Sequence, residues 1–356
     1  MDLMIYDSNR NPLWLLDIYN SFIWTDRYFK YGDFELHASM NEDLLQYLKQ
    51  DYYITNANSE HVMIIEKLLI NSDIENGNTI TVSGRSLESL LERRIIWNRT
   101  TLSGNLQNGI KKLLDENVIS PTDSSRKIDN FIFEESTDSA ITGLTIKGQY
   151  TGDNLYEAIA SICQENSIGF KVTMNSANQF VFKLYSGVDR SYGQTENPYV
   201  VFSPNFENIV ESNYVESKMA LKNVTLIGGE GEGTSRKYTS VGTASGLDRR
   251  ELFTDARDIR AEDDDGNAIP DSDYLAQLAQ RGKEKLAENV DVVAFEGQAD
   301  VYSMFTYGTD FFMGDIVQIA DEYGHETKSR MVELVSSESE QGVSTYPTFA
   351  HVDNNT

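Results

Sequence analysis

The sequence predicts an α+β, β-rich protein in which two β-barrel-like parts, residues 1–97 and 205–356, flank a small α+β part at residues 98–204. Three observations carry this. Runs of alternating apolar and polar residues, bounded by Gly, Asn, Asp and Pro turn signals, fill both ends of the chain. Helical spacing of apolar residues is concentrated in the middle. A length of 356 residues suits two or three domains, each able to bury its own core. Cys163 is the sole cysteine, so no intrachain disulfide is available and packing must supply the stability.

In chain order, Leu3 to Tyr6 and Leu13 to Tyr19 form a hairpin across Asn9-Arg10-Asn11-Pro12, and Phe22 to Tyr28 pairs with Phe34 to Ala38 across Gly32-Asp33. Phe34, Leu36 and Ala38 alternate with Glu35 and His37, the period of a half-buried strand. Asn41 caps a helical stripe of Leu44, Leu45 and Leu48. A third hairpin joins Val62–Ile70 to Thr79–Ser83 around Asn76-Gly77, and Ser86–Arg94 is a short helix with Leu87, Leu90 and Leu91 inward. The middle part opens with a helix over Leu106–Leu114. A second helix starts at Asn154, with Glu157 placed to complete a capping box, and buries Leu155, Ile159, Ile162 and Cys163. Phe170–Met174 and Phe180–Tyr185 pair across Asn175 to Asn178. In the last part, Asn223–Ile227 leads into a Gly-rich loop, Leu247–Ile259 is largely extended, and Tyr274–Ala287 is a helix. Val292–Tyr302, Asp315–Ala320, Ser329–Val335 and Val343–Ala350 are strands of a barrel or sandwich.

Lys and Arg number 30 against 56 Asp and Glu, a formal net charge of -26. Such a surface repels nucleic acid and anionic membrane, so stable nucleic-acid binding is excluded. No apolar run approaches the roughly 18 residues of a spanning helix, so membrane insertion by this chain is excluded as well. The start has no basic region of a signal peptide, and the expectation is a protein made and kept in a cytoplasm unless a larger assembly carries it out.

The motifs argue against catalysis. Gly228-Gly229-Glu230-Gly231-Glu232-Gly233 follows a strand but lacks GxGxxG spacing and a Lys-Ser/Thr pair, and its glutamates would repel phosphate; it reads as a flexible connector. Asp263-Asp264-Asp265-Gly266-Asn267 resembles part of a calcium loop, yet the first and twelfth ligand positions would be Ala261 and Ser272, so it reads as a solvated acidic turn. His37, His61, His325 and His351 are scattered without metal-ligand spacing and read as surface residues. No GxSxG elbow occurs, and Cys163 falls on an apolar stripe where a small hydrophobe is the usual role. No catalytic, cofactor-binding or metal residue is expected, and no cofactor.

Three segments carry a resemblance. The first is Tyr19-Asn20-Ser21-Phe22-Ile23-Trp24-Thr25-Asp26-Arg27-Tyr28 with Gly32-Asp33-Phe34-Glu35-Leu36-His37. The second is Gly84-Arg85-Ser86-Leu87 through Leu91-Glu92-Arg93-Arg94-Ile95-Ile96-Trp97. The third is Gly246-Leu247-Asp248-Arg249-Arg250-Glu251-Leu252-Phe253 with Asp255-Ala256-Arg257-Asp258-Ile259, then Met313-Gly314-Asp315-Ile316-Val317. Together the chain resembles the tail-hub (baseplate hub) proteins of long-tailed phages and prophages of Gram-positive bacteria, a group that includes the structural N-terminal part of tail-associated lysins. The resemblance implies a homotrimeric ring whose two β-barrel-like domains per subunit continue a sixfold tail tube. It implies as partners the distal tail protein, the tape measure and tip or fibre proteins, a place in the virion tail after assembly in the host cytoplasm, and DNA passing through the ring. It also implies that a lytic or fibre domain is absent or lies on another chain. Two other readings stay open: a cell-wall glycan hydrolase, and a carbohydrate-binding receptor module suggested by the 19 tyrosines.

Overall fold

The protein is α+β and β-rich. The computed structural model describes residues 2–75, 77–263, 265–299, 304–321, 323 and 326–352. The first part contains β1 (Leu3–Tyr6), β2 (Pro12–Leu16), β3 (Ser21–Arg27), β4 (Asp33–Ser39), β5 (Tyr53–Asn56), β6 (Val62–Asn71) and β7 (Thr79–Ser86), with helix α1 (Glu42–Tyr47) between β4 and β5. The strands pair in the order β3-β4-β7-β6-β5-β1-β2, all antiparallel. The alternation expected in β4 is present: Phe34, Leu36 and Ala38 are buried beside Phe22, Trp24, Ile80 and Val82, and Glu35 is exposed. The larger of these side chains, Phe34 and Leu36 among them, each contribute roughly 1.5–3 kcal/mol by leaving water. Asn41 Oδ1 accepts from Leu44 N at 2.9 Å and caps α1, but Leu45 points to solvent, so the helix buries only a narrow stripe. In the β6/β7 hairpin, Gly77 has φ +82°, which its lack of a Cβ permits, while Asn76 lies outside the described residues. Leu87–Arg93 is a 3-10 helix.

The middle part packs α2 (Leu106–Leu114), α3 (Ser139–Thr142) and α4 (Leu155–Glu165) against two small sheets. One pairs β8 (Thr100–Asn105) with β10 (Thr145–Tyr150); the other runs β9 (Phe131–Glu134), β12 (Phe180–Tyr185), β11 (Gly169–Met174). Asn154 Oδ1 accepts from Tyr156 N at 3.0 Å and Glu157 N at 3.3 Å, the cap its position suggests. Cys163 is wholly buried among Ile159, Ile162 and Phe170, and burial pushes its thiol well above the ordinary range.

The last part differs from its expected run of barrel strands. The strand β13 (Val201–Phe202) is followed by β14 (Ile209–Ser217), and β18 (Val292–Ala299) pairs with β14; a separate unit is inserted between those two. That unit is a sheet of β15 (Val224–Gly228), β16 (Tyr238–Val241) and β17 (Glu251–Asp255), covered by α5 (Asp271–Ala287) around Ile227, Ile259, Tyr274 and Leu278. The extension expected over Leu247–Ile259 is therefore short, because Gly246–Asp248 turns as a 3-10 helix before β17. The chain closes with β19 (Ile316–Ala320), β20 (Glu326–Ser339) and β21 (Gly342–His351).

The two ends of the chain share one sheet. β20 pairs with β3, Glu333 opposite Arg27 through Ser339 opposite Ser21, which joins β14-β18-β21-β20 to β3-β4-β7-β6. These two four-strand units have the same topology. In each, the strands in chain order a, b, c, d lie side by side as a-b-d-c, every neighbour antiparallel. In each, the start of strand c takes a further outer partner, β5 on β6 and β19 on β20. In each, strand c then bulges, between Ile65 and Lys67 in β6 and between Met331 and Glu333 in β20. Among the described strands the pairing is an open, branched path that closes no ring.

Candidate interaction surface

The face of β3, β4, β7 and β20 turned away from the aromatic core is polar, as the alternation in these strands requires. Two rows cross it: Ser337, Ile23, Glu35, Ser83 and Lys67, then Ser339, Ser21, His37, Thr81 and Leu69. Every described arginine on it is held. Arg27 bridges Glu333 across the β20/β3 junction at 2.5 Å and also contacts Asp33; Arg85 bridges Glu66 at 2.7 Å and Glu92 at 2.5 Å. Those carboxylates keep both guanidinium groups firmly charged against the cost of partial burial. His37, as expected, is half exposed, with Nε2 2.8 Å from Glu35 Oε1 and Nδ1 2.9 Å from Thr81 Oγ1. With its arginines committed to acids in this way, the face offers little free positive charge to a phosphate backbone.

Beneath it, His61 is a correction to the surface role read from sequence. Its side chain is buried, with Nδ1 3.1 Å from Glu88 Oε1 as an ion pair; the directed hydrogen bond to that oxygen comes from Val172 N at 2.7 Å. Asp26 completes the cluster, accepting from Trp24 Nε1 at 2.8 Å and from Ser59 Oγ. Burial alone would depress the imidazole, yet the Glu88 and Asp26 carboxylates override it and push His61 up to about 9. Burial raises Asp26. Burial also opposes ionisation of Glu88, but His61 and the hydrogen bonds hold it below the ordinary carboxylate range. Nothing adjacent in sequence supplies these partners; they come from β3, the 3-10 helix and β11. The cluster ties the first part to the middle one through the Val172 N bond to Glu88.

A second buried ionisable group, Glu284, joins the inserted unit to the middle part. Glu284 of α5 accepts from Tyr150 Oη and, at 3.1 Å, from Gln280 Nε2, and burial raises it to about 7. Around it Lys147 pairs with Asp273, and Arg281 with Asp258 at 3.0 Å. Of these groups, Tyr150, Arg281 and Glu284 line a cleft of about 940 Å³ that Tyr31 and Tyr156 also line.

The remaining sequence candidates resolve simply. The Gly-rich segment is the turn of the β15/β16 hairpin and not a loose connector: Gly229 N donates to Lys237 O, and the Arg236 guanidinium donates to the carbonyls of Gly228 and Gly229 and to Asp255. Asp263 Oδ1 accepts from Asp265 N and Asn267 N, closing the exposed acidic turn on its own backbone; Asp264 lies outside the described residues. His325 lies outside them too, and for His351 only its place in β21 is described. Among the described residues no helix is long and apolar enough to cross a membrane.

The fold is that of phage tail proteins. It is similar to prophage tail protein gp18 from Listeria monocytogenes EGD-e, with TM-score 0.57 and 11% identity over 100% of this chain and 96% of that one. It is similar to the 43 kDa tail protein of prophage MuSo2 from Shewanella oneidensis, with TM-score 0.59 and 11% identity over 99% and 98%. A tail protein from Neisseria meningitidis MC58 matches at TM-score 0.59 and 12% identity over 98% and 96%. The chain belongs to the Siphovirus ReqiPepy6 Gp37-like protein family, whose sequence model matches residues 2–349. No curated protein matches it by sequence.

Proposed function

We propose that this chain is a non-enzymatic structural subunit of a phage tail tip, a baseplate hub that assembles as a homotrimer, joins the tail tube to the tip apparatus and lets DNA pass. The observation that carries the reading is the repeated four-strand unit. Three copies of a chain with two such units present six equivalent strand blocks, the number a sixfold tube requires at its end. The polar face with its paired arginines suits a passage that must not grip a phosphate backbone. In this reading residues 1–97 and 205–356 are the two tube-like domains, and residues 98–204 buttress them from outside. The partners are neighbouring tail proteins, namely the distal tail protein, the tape measure and tip or fibre proteins. The site of action is the virion tail, and the similarity to the structural part of tail-associated lysins is one of framework.

Light scattering on the purified chain, alone and with its tail partners, tests the trimer. A mass of three chains supports the hub; a monomer in every mixture, with no threefold feature at the tail tip in electron micrographs, overturns it. A zymogram on host cell walls and a glycan array test the hydrolase and receptor readings, and activity in either would displace this one.

A further inference from the structure

The repeat also specifies how one copy meets the next. Within the chain, β20 leaves β19 at its bulge and pairs from Glu333 onward with β3. In the first unit β6 leaves β5 at the equivalent bulge, but among the described residues no strand pairs with the far side of Lys67–Asn71. At the other end of the path, β14 stands where β3 stands in its own unit, and its outer edge likewise has no described partner. The chain thus carries one filled junction of strand c with strand a, together with the two unfilled halves of a second.

We infer that Lys67–Asn71 of one copy pairs antiparallel with Ser217–Asn213 of the next, repeating between copies the β20/β3 junction found within each copy. The inference rests on the hub reading above and adds the edges and the register.

The register follows from superposing the ladders. Lys67 lies opposite Ser83 just past its bulge, as Glu333 lies opposite Thr348 just past its own; Lys67 is therefore the counterpart of Glu333, and Leu69 of Val335. Phe34 faces Gly84 as Phe295 faces Phe349, and Trp24 faces Phe34 as position 214 faces Phe295, which makes Val215 the counterpart of Thr25. Val335 is opposite Thr25 within the chain, so Leu69 falls opposite Val215 of the neighbour. Those two residues, fixed by topology alone, are 43% and 37% exposed apolar side chains. An exposed apolar residue on an unpaired strand edge is an aggregation hazard unless a partner strand covers it. Because the joined edges differ, each copy uses both, and head-to-tail pairing of this kind propagates until it closes.

Disulfide trapping tests the register. Opposed residues of an antiparallel pair have Cα atoms about 4.5–5.5 Å apart, within disulfide reach. Leu69→Cys combined with Val215→Cys should give disulfide-linked dimers and trimers under mild oxidation, whereas each single change gives none; Cys163 is buried and stays out of the reaction. Thr25→Cys with Val335→Cys is the positive control and should form a bond within one chain. Leu69→Asp should reduce the assembled mass while leaving the melting temperature of the subunit unchanged. A double variant that assembles to the wild-type mass without forming linked species, while the control bond forms, overturns the register and leaves the hub reading standing. A wild-type chain monomeric with all tail partners overturns both.

Discussion

Tyr28 sits where three parts of the chain meet. Its backbone N donates to Val332 O at 2.9 Å, its Oη donates to the carbonyl of Ser167 at 3.2 Å, and Arg330 lies over its ring. Gly314, at φ +93°, lets the chain press against that ring, since a Cβ there would stand 2.3 Å from Tyr28 Cε2. His61 is the charged counterpart of this packing. Replacing His61 with Ala leaves Glu88 and Asp26 buried without their cation, and we expect a loss of about 3–5 kcal/mol in urea unfolding at pH 7. A surface histidine would cost within about 0.5 kcal/mol. Because folding raises the His61 pKa from 6.5 to about 9, its contribution is complete below pH 6.5 and is lost as pH rises through about 9. Asp26, raised by burial, loses stability in the same upward direction, whereas Glu88, held low, loses its contribution as pH falls below its ordinary value of 4.5. The wild type should therefore be weakened between pH 6.5 and 9 by more than a His61→Gln variant; parallel curves would show that folding leaves the imidazole pKa unshifted.

At the level of elements, α5 docks through polar groups. Its apolar residues Tyr274 and Leu278 serve the core of the inserted unit, while Gln277, Gln280, Arg281 and Glu284 face the middle part. Such a contact depends on the charge state of its one buried carboxyl. Glu284 has its pKa raised from 4.5 to about 7, so folding favours the protonated form: its contribution is complete below pH 4.5 and fades as pH rises through about 7. Glu284→Gln keeps a neutral side chain of the same shape. We expect it to raise the melting temperature relative to wild type at pH 8 and to match wild type near pH 4.5; hydrogen exchange in α5 should slow in the same variant at pH 8. An unchanged difference across that range would show that the carboxyl stays ionised throughout. The hairpin turn after β15 is tied by Arg236 to the carbonyls of Gly228 and Gly229, and Asp263 accepts from Asp265 N and Asn267 N in the acidic turn.

At the scale of the whole molecule, the net charge of -26 and the polar sheet face give the same expectation for nucleic acid. Counterion release needs cations that the arginines of this face, paired with Glu333, Asp33, Glu66 and Glu92, do not offer. Fluorescence anisotropy of a labelled duplex should stay flat on adding the protein, as monomer or assembled, at about 50 mM salt, where such binding is strongest. A titratable rise would mean that a basic surface forms only between copies. The inserted unit stays outside the long sheet, since among the described strands β15, β16 and β17 pair only with one another.

The sequence by itself determined the elements and their chemistry. Alternation placed Phe34, Leu36 and Ala38 inward, Asn41 and Asn154 announced their helices, and Cys163 declared its stripe. These are local signals, carried within one or two turns of chain. The pairing of β20 with β3 joins residues some three hundred positions apart, and the identical order of the two strand units has no echo in residue identity, because strand order is set by which edges meet and not by which side chains point outward. The buried role of His61 is invisible in sequence for the same reason: its partners Glu88 and Asp26 arrive from other strands and helices, and only a folded chain desolvates all three together. The inserted unit hid behind its own β-like texture, and α5 revealed its role only through contacts with β10 and α4, which no periodicity encodes.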